Sequence, residues 1–177
     1  AALAVWALYI LWEELTGSPF AAACAALGDY TVQREPGAVV VNDDTMPVLR
    51  YQMQRPEDSK LSVESACYFH PFTTPSGIAI TDVAPSDHLH HRGIFLAWVE
   101  MHGEKHADFW GWGVHAPKKD RVIVNRALDL ATPGATPARF RASNEWLAES
   151  AVVMKETLDA KLSRQSNAHI LDLSYTL

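Results

Sequence analysis

The sequence of 177 residues predicts a mainly β protein, an antiparallel β-sandwich preceded by a short helical segment. Short runs rich in Val, Ile and aromatic residues recur after residue 38, and several alternate apolar with polar positions. Clusters of Gly, Pro, Asn and Asp separate these runs, whereas helical patterns are confined mainly to the first 28 residues. We therefore expect an N-terminal segment over residues 1–28 and a sandwich domain over residues 29–177.

The N-terminal segment is apolar on all sides over residues 1–12, and a second Ala-rich stretch covers residues 20–27. Ser18-Pro19 before that stretch and Gly28 after it are typical of the two ends of a helix. Twelve residues are too few for a membrane-spanning helix, which needs roughly 20, so we expect no span in this chain. A buried helix, the tail of a longer span and a signal remnant all fit this segment. The localisation therefore stays open between a soluble cytoplasmic protein and one that is exported if the segment is a signal remnant.

From residue 38 onward, the runs predicted as strands are residues 39–41, 48–53, 77–81, 94–99, 121–130, 139–146, 151–158 and 169–177. Asn42-Asp43-Asp44 predicts a turn between the first two runs. The last run places Leu171, Leu173 and Tyr175 on one face, and we expect Tyr175 and Trp146 in the core. Because that run ends without a terminating signal, we expect the domain to be incomplete at its C-terminal end.

The composition is that of an ordinary globular domain, with 48% hydrophobic and 20% charged residues. A net charge of −6 and the lack of a basic run make nucleic-acid binding an unfavoured function, because phosphate binding needs clustered Lys and Arg. The two cysteines, Cys24 and Cys67, have no metal-type spacing and indicate no disulfide framework. Nucleic acid is therefore not an expected partner.

Seven of the eight histidines and three of the six tryptophans lie between residues 70 and 115. The densest part is Asp87-His88-Leu89-His90-His91-Arg92, which joins imidazoles to a carboxylate and a guanidinium. Histidine exchanges protons near neutral pH, arginine binds oxygens through a planar fork, and tryptophan offers a flat apolar face. This combination predicts a polar pocket with an aromatic wall. The alternative is a buried polar network that only stabilises the fold.

The backbone conformation of residues 86–93 decides which side chains share that pocket. If the run is extended, His88 and His90 point to one side and Asp87 and His91 to the other. His88 and His90 would then be the catalytic pair, and Asp87 or His91 could orient an imidazole. Pro85 precedes the run and Gly93 ends it, and both residues are typical of a change in backbone direction.

This region also carries a family resemblance. The residues concerned are His70-Pro71, Gly77, Pro85, Asp87-His88, His90-His91-Arg92-Gly93 and Phe109-Trp110. From about residue 39 to residue 177 the chain resembles an uncharacterised bacterial family labelled "methane oxygenase PmoA". It departs from that family in having Leu89 where proline is expected, and in a longer segment over residues 102–107. The resemblance implies a β-sandwich related to the galactose-mutarotase-like supersandwich, and a role in carbohydrate metabolism.

Three functions remain open. The first is acid–base chemistry on a sugar-like substrate, an epimerase, lyase or hydrolase reaction, with His88, His90, Asp87 and His91 as catalytic residues. The second is a metal-dependent oxygenase, as the family label suggests, with a single divalent metal held by His70, His88 and His90. The third is a non-catalytic carbohydrate-binding module. In the first, the residues expected to bind substrate are His70, Arg92, Trp110 and Trp112, and no metal is required.

Overall fold

The structure, a computed structural model, describes residues 30–61, 64–99, 101–104, 106–110, 120–131 and 137–177. Its strands are β1 (Tyr30–Glu35), β2 (Ala38–Asp43), β3 (Met46–Gln52), β4 (Tyr68–Phe72), β5 (Arg121–Leu130), β6 (Ala138–Ala148), β7 (Ala151–Gln165) and β8 (Ala168–Thr176). They form two antiparallel four-stranded sheets, ordered β1-β2-β3-β4 and β5-β6-β7-β8. The mainly β prediction is confirmed, and no helix occurs in the described residues. The predicted helical segment over residues 1–28 lies outside them.

Tight turns build the first sheet. β1 and β2 are joined through Pro36 and Gly37, and Gly37 has a φ of +74°. β2 and β3 are joined at Asp44, whose φ of +54° is tolerated because Asp is among the residues that adopt the left-handed region. The turn predicted around residues 42–44 is therefore present. β1 and β4 were not predicted as strands.

The second sheet is a series of hairpins in which every strand pairs with its neighbour along the chain. All four of its strands were predicted, although β7 continues to Gln165 instead of ending at Leu158. Side chains of β6 alternate between buried and more exposed positions, as in a sheet with one face against a core. Leu171, Leu173 and Tyr175 of β8 share the core-facing side, as their spacing predicted.

Both sheets contribute to one hydrophobic core, as the sheets of a β-sandwich do. The ring of Tyr51 in β3 lies 4.9 Å from that of Phe69 in β4 and 5.4 Å from that of Phe140 in β6, between ring centroids. Trp146 is fully buried in the same core, so its predicted place is confirmed. Burial of these aromatic side chains is a large source of stability, because each removes up to about 250 Å² from water.

The core also contains a polar network. Glu156 of β7 is 5% exposed, and its carboxylate accepts hydrogen bonds from Asn144 Nδ2 at 2.7 Å and from Trp146 Nε1 at 2.9 Å. Asn144 Nδ2 also donates to the Tyr51 hydroxyl at 2.9 Å. Burial raises the pKa of Glu156, although the two donors act against the shift. Burial likewise raises the pKa of the neighbouring Cys67 thiol to about 12.

Two polar contacts join the sheets at another edge. The Tyr30 hydroxyl in β1 lies 2.6 Å from His169 Nδ1 in β8. Arg164 Nη1 in β7 donates to Asp43 Oδ2 in β2 at 2.7 Å. His169, the one histidine outside the dense region of the sequence, therefore takes part in the contact between the sheets.

Two predicted strands are wrong. Residues 77–81 and 94–99 form only isolated bridges, between Thr73 and Ala79 and between Phe69 and Ile94. Ile78 is 65% exposed, so the first run is not the half-buried strand that its apolar residues suggested. In the second run, neighbouring side chains such as Leu96 and Ala97 both pack against the core. A continuous apolar run does not by itself distinguish a strand from an irregular buried segment.

Candidate functional site

The histidine-rich residues lie on a loop that folds back on itself beside β4. Gly93 N donates to the carbonyl of Asp82 at 2.8 Å, and Ala84 N donates to the carbonyl of His91 at 2.8 Å. An isolated antiparallel bridge pairs Val83 with Arg92 between these two bonds. Ile94 and Phe69 exchange two backbone hydrogen bonds. The loop over residues 82–94 is thus closed at its base and attached to the first sheet.

Gly93 allows that attachment. Its φ is +61°, and a Cβ at this position would lie 2.1 Å from the carbonyl oxygen of Phe69. No side chain can occupy that space, because the obstacle is backbone and cannot move aside. The glycine therefore fixes how closely Arg92 and Ile94 approach β4.

The tip of the loop consists of two turns in succession. His88 N donates to the carbonyl of Pro85 at 2.9 Å, and His91 N donates to the carbonyl of His88 at 3.0 Å. The extended conformation considered for residues 86–93 is therefore wrong, since hydrogen bonds between residues three apart close the chain into turns. As a consequence His91, which an extended run would send to the opposite face, lies beside His88.

Three imidazoles meet at this tip, and we refer to His88, His90 and His91 as the histidine cluster. The rings of His88 and His91 stack at 4.6 Å with an interplanar angle of 20°, and His90 meets His91 edge-on at 4.5 Å. The centroids of His88 and His90 are 5.9 Å apart. Trp110 lies 6.1 Å from His90 and 6.2 Å from His91.

Burial, together with the neighbouring imidazoles, lowers the pKa of two histidines of the cluster. Burial lowers the pKa of His90, and the neighbouring His91 and His88 lower it further. Burial and His88 lower the pKa of His91, while Asp87 raises it. Asp87 Oδ2 lies 3.1 Å from His88 Nδ1, and this contact lowers the pKa of Asp87. The cluster therefore combines imidazoles that are neutral at pH 7 with an imidazole–carboxylate pair.

Arg92 follows His91 in the chain and is only 1% exposed. Its Nη2 donates to the carbonyl of Phe109 at 3.0 Å, and its guanidinium lies 4.2 Å above the ring of Phe95. Within the described residues no carboxylate forms an ion pair with it, and burial lowers its pKa to about 10. Because Phe109 precedes Trp110, this hydrogen bond helps to hold the indole in place.

His70 lies in β4, next to Phe69, which pairs with Ile94 at the base of the loop. Its Nδ1 is 3.0 Å from Thr81 Oγ1, and burial lowers its pKa. No ring contact joins it to His88, His90 or His91 among the described residues. Trp112, the remaining candidate, lies outside the described residues. The contacts described above join Asp87, His88, His90, His91 and Trp110, and Arg92 reaches Trp110 through Phe95. The place of His70 in the same pocket stays a prediction.

Two residues of the site were not singled out from the sequence. Phe95 stacks on Trp110 at 5.1 Å and 29°, and it also lies under Arg92. Asp108 Oδ1 accepts a hydrogen bond from Trp110 N at 2.8 Å. The spacing Asp108-x-Trp110 is typical of an Asx-turn, and it could have indicated the second residue.

Metal ligands are not grouped in the described residues. No set of three or more His, Cys, Asp or Glu is arranged there to hold a metal ion, and this includes the set His70, His88 and His90. His102 and His106 form a second, exposed pair whose rings stack at 5.0 Å across the Met101–Ala107 bridge. Two clefts lined by described residues have volumes of about 580 and 590 Å³, and neither lining includes a residue of the histidine cluster.

Comparison with known proteins supplies a family but not an activity. In the described part of the chain, no helix has the length and apolar character needed to cross a membrane. Searches of curated proteins and of solved structures found no match. The model of a family of unknown function, DUF6807, matches residues 38–177, which is more than half of the sequence. The chain therefore belongs to DUF6807, a family whose function is not known.

Proposed function

We propose that the protein catalyses acid–base chemistry on a carbohydrate-like polyol at the histidine cluster. The observation that carries this proposal is the meeting of three imidazoles beside Asp87 and Trp110. Groups that exchange protons near neutral pH are required for such chemistry, and a neutral imidazole is a competent base.

The exposure of the three imidazoles suggests separate roles. His90 is 6% exposed, whereas His88 is 44% exposed at its side chain and is paired with Asp87. We assign proton transfer to His88, with Asp87 orienting its ring through Nδ1. His91, stacked on His88, is the second acid or base, and buried His90 supports both rings.

Trp110 and Arg92 provide the surroundings. The indole stacks on Phe95 on one side, and we infer that it contributes an apolar wall for a sugar ring. Arg92 was expected to hold a substrate oxygen. Its burial and its bond to the Phe109 carbonyl support a positioning role instead, in which the guanidinium holds Trp110 at the cluster.

The finer family relations are part of the same proposal. We infer that the chain is related to the family labelled "methane oxygenase PmoA" and to the galactose-mutarotase-like supersandwich. The match to DUF6807 covers residues 38–177, nearly the same part of the chain as the resemblance to the labelled family, and this agreement in extent is what supports the first relation. Two antiparallel sheets with a common core support the second.

The test is a search for turnover with purified protein and a panel of neutral and acidic sugars in deuterated water. Proton exchange at sugar carbons is read by NMR, and metal content is measured on the same sample. We expect turnover to fall at least about 100-fold in His88→Gln, the loss typical of a missing general acid or base. His102→Gln, which changes an exposed histidine outside the cluster, is the matched control. Circular dichroism should be unchanged in both variants.

Two results would replace the proposal. Stoichiometric sugar binding without turnover, unaffected by His88→Gln, would identify a binding module. Stoichiometric iron or copper, with oxygen consumption that a chelator abolishes, would identify the metal-dependent alternative.

A further inference from the structure

A second polar site lies between the two sheets, away from the histidine cluster. A cleft of about 590 Å³ opens where the end of β1, the segment after β3 and the middle of β5 meet. Three arginines line it, one from each of these elements: Arg34, Arg55 and Arg126. We refer to it as the arginine cleft.

Arg55 is fixed in place by backbone rather than by an acidic partner. Its Nε donates to the carbonyl of Leu61 at 2.8 Å, and its Nη2 donates to the carbonyl of Ser59 at 3.0 Å. Carbonyl groups orient the guanidinium but do not neutralise it. The nearest carboxylate, on Glu64, lies 3.8 Å from Nη1 and belongs to a side chain that is 82% exposed. Nη1 therefore has a fixed position, and its contact with a carboxylate is a long one.

The other charges of the cleft are unevenly compensated. Arg126 uses Nε to bind Glu145 at 2.7 Å. The carboxylate of Glu35, which also lines the cleft, is bound by Arg50 at 2.7 Å. Arg34 forms no ion pair within the described residues. Three carboxylates, of Glu35, Glu64 and Glu145, thus stand against four guanidinium groups, of Arg34, Arg50, Arg55 and Arg126, so one positive charge at the cleft is not compensated by these carboxylates.

The walls favour a small organic molecule over a bare ion. Met53 and Ala66 are buried apolar residues of the lining. Asn125 also lines the cleft, and its Nδ2 donates to Asn144 Oδ1 at 2.9 Å and to the carbonyl of Ala127 at 2.9 Å. An apolar surface beside fixed polar groups is the usual composition of a small-molecule site.

We propose that the arginine cleft binds a small molecule through a carboxylate or phosphate group, which displaces Glu64 and bonds to Arg55 Nη1. Arginine suits both groups, because its donors match two oxygens of a planar or tetrahedral anion. The cleft shares no residue with the histidine cluster, so the proposal does not depend on the chemistry assigned there.

Titration calorimetry with inorganic phosphate and with malonate, each at constant ionic strength, tests the proposal and separates the two anion classes. We expect saturable binding of at least one. Arg55→Gln should weaken it by about tenfold or more, since a hydrogen bond to a charged group contributes roughly 1.5 to 3 kcal/mol. Arg141→Gln is the matched control, because it removes an arginine from the other cleft, where Arg141 binds Asp159.

Glu64→Gln gives an independent result, because loss of an exposed carboxylate does not endanger the fold. It should tighten binding several-fold by removing the competitor of the ligand. The proposal fails if neither anion binds the unaltered protein at millimolar concentration. It also fails if Arg141→Gln weakens binding as much as Arg55→Gln, or if Glu64→Gln leaves the affinity unchanged.

Discussion

At position 93 the backbone passes so close to β4 that a methyl group has no room. Gly93→Ala would place its Cβ 2.1 Å from the Phe69 carbonyl oxygen, at a φ of +61°. We expect a loss of about 3 kcal/mol or more in the free energy of unfolding, because both the strain and the clash fall on backbone. Gly103→Ala is the matched control, since nothing lies within 4 Å of its Cβ. Equal stability of the two variants in urea denaturation would contradict the prediction.

Glu156 gives a second prediction at the scale of one residue. Burial raises its pKa above the ordinary value of 4.5 in the folded chain, so its contribution to stability is complete below pH 4.5 and declines as pH rises through the folded pKa. Glu156→Gln removes this titration. The stability of the unaltered protein relative to the variant should therefore decrease from about pH 4.5 upward. Urea denaturation of both proteins at several pH values measures it, and a constant difference would show that the carboxyl does not titrate as inferred.

The loop over residues 82–94 is the element that decides the properties of the candidate site, because its two turns determine which charges His91 meets. The midpoint for His91 should lie below 6.5. His88→Gln removes a positive neighbour and should raise that midpoint, whereas Asp87→Asn removes a negative neighbour and should lower it. Histidine NMR titrations of the three proteins measure the shifts. A shift in the same direction in both variants would refute the geometry.

The strands of the second sheet could be predicted because their sequences carry the information locally. β6 and β8 alternate apolar with polar residues, and each strand pairs with its neighbour along the chain. β4 was missed because Pro71 interrupts the run Tyr68-Phe69-His70-Pro71-Phe72. Proline removes a backbone donor, and it is found mainly at the edges of sheets, which is where β4 lies.

The residues of the site could be predicted, but their arrangement could not. The concentration of histidines identified His88, His90 and His91, yet the assumption of an extended backbone separated His91 from His88. The turns that bring them together depend on backbone bonds to Pro85 and His88 and on the closure of the loop against β4. Contacts of Gly93 with Phe69, 24 residues earlier, are not visible in a local pattern.

At the scale of the whole molecule, one core joins both sheets, so we expect them to unfold together. Phe140 in β6 contacts Tyr51 and Phe69 of the first sheet. Phe140→Ala should cost about 3 to 5 kcal/mol of unfolding free energy, the range for a large buried aromatic side chain. Val152→Ala, at a position 46% exposed, should change it by less than about 0.5 kcal/mol. Tryptophan fluorescence and circular dichroism should give one midpoint for each variant, and divergent midpoints would show that the sheets unfold separately.

The burial of Cys67 makes it possible to measure how often the core opens in solution. A thiol with a pKa of about 12 presents almost no thiolate at pH 8, and only the thiolate is readily alkylated. Iodoacetamide should therefore modify Cys67 only in molecules whose core has transiently opened. Mass spectrometry distinguishes the peptide that contains Cys67 from the peptide that contains Cys24. The labelling rate of Cys67 therefore measures how often the core opens, and no further probe has to be introduced.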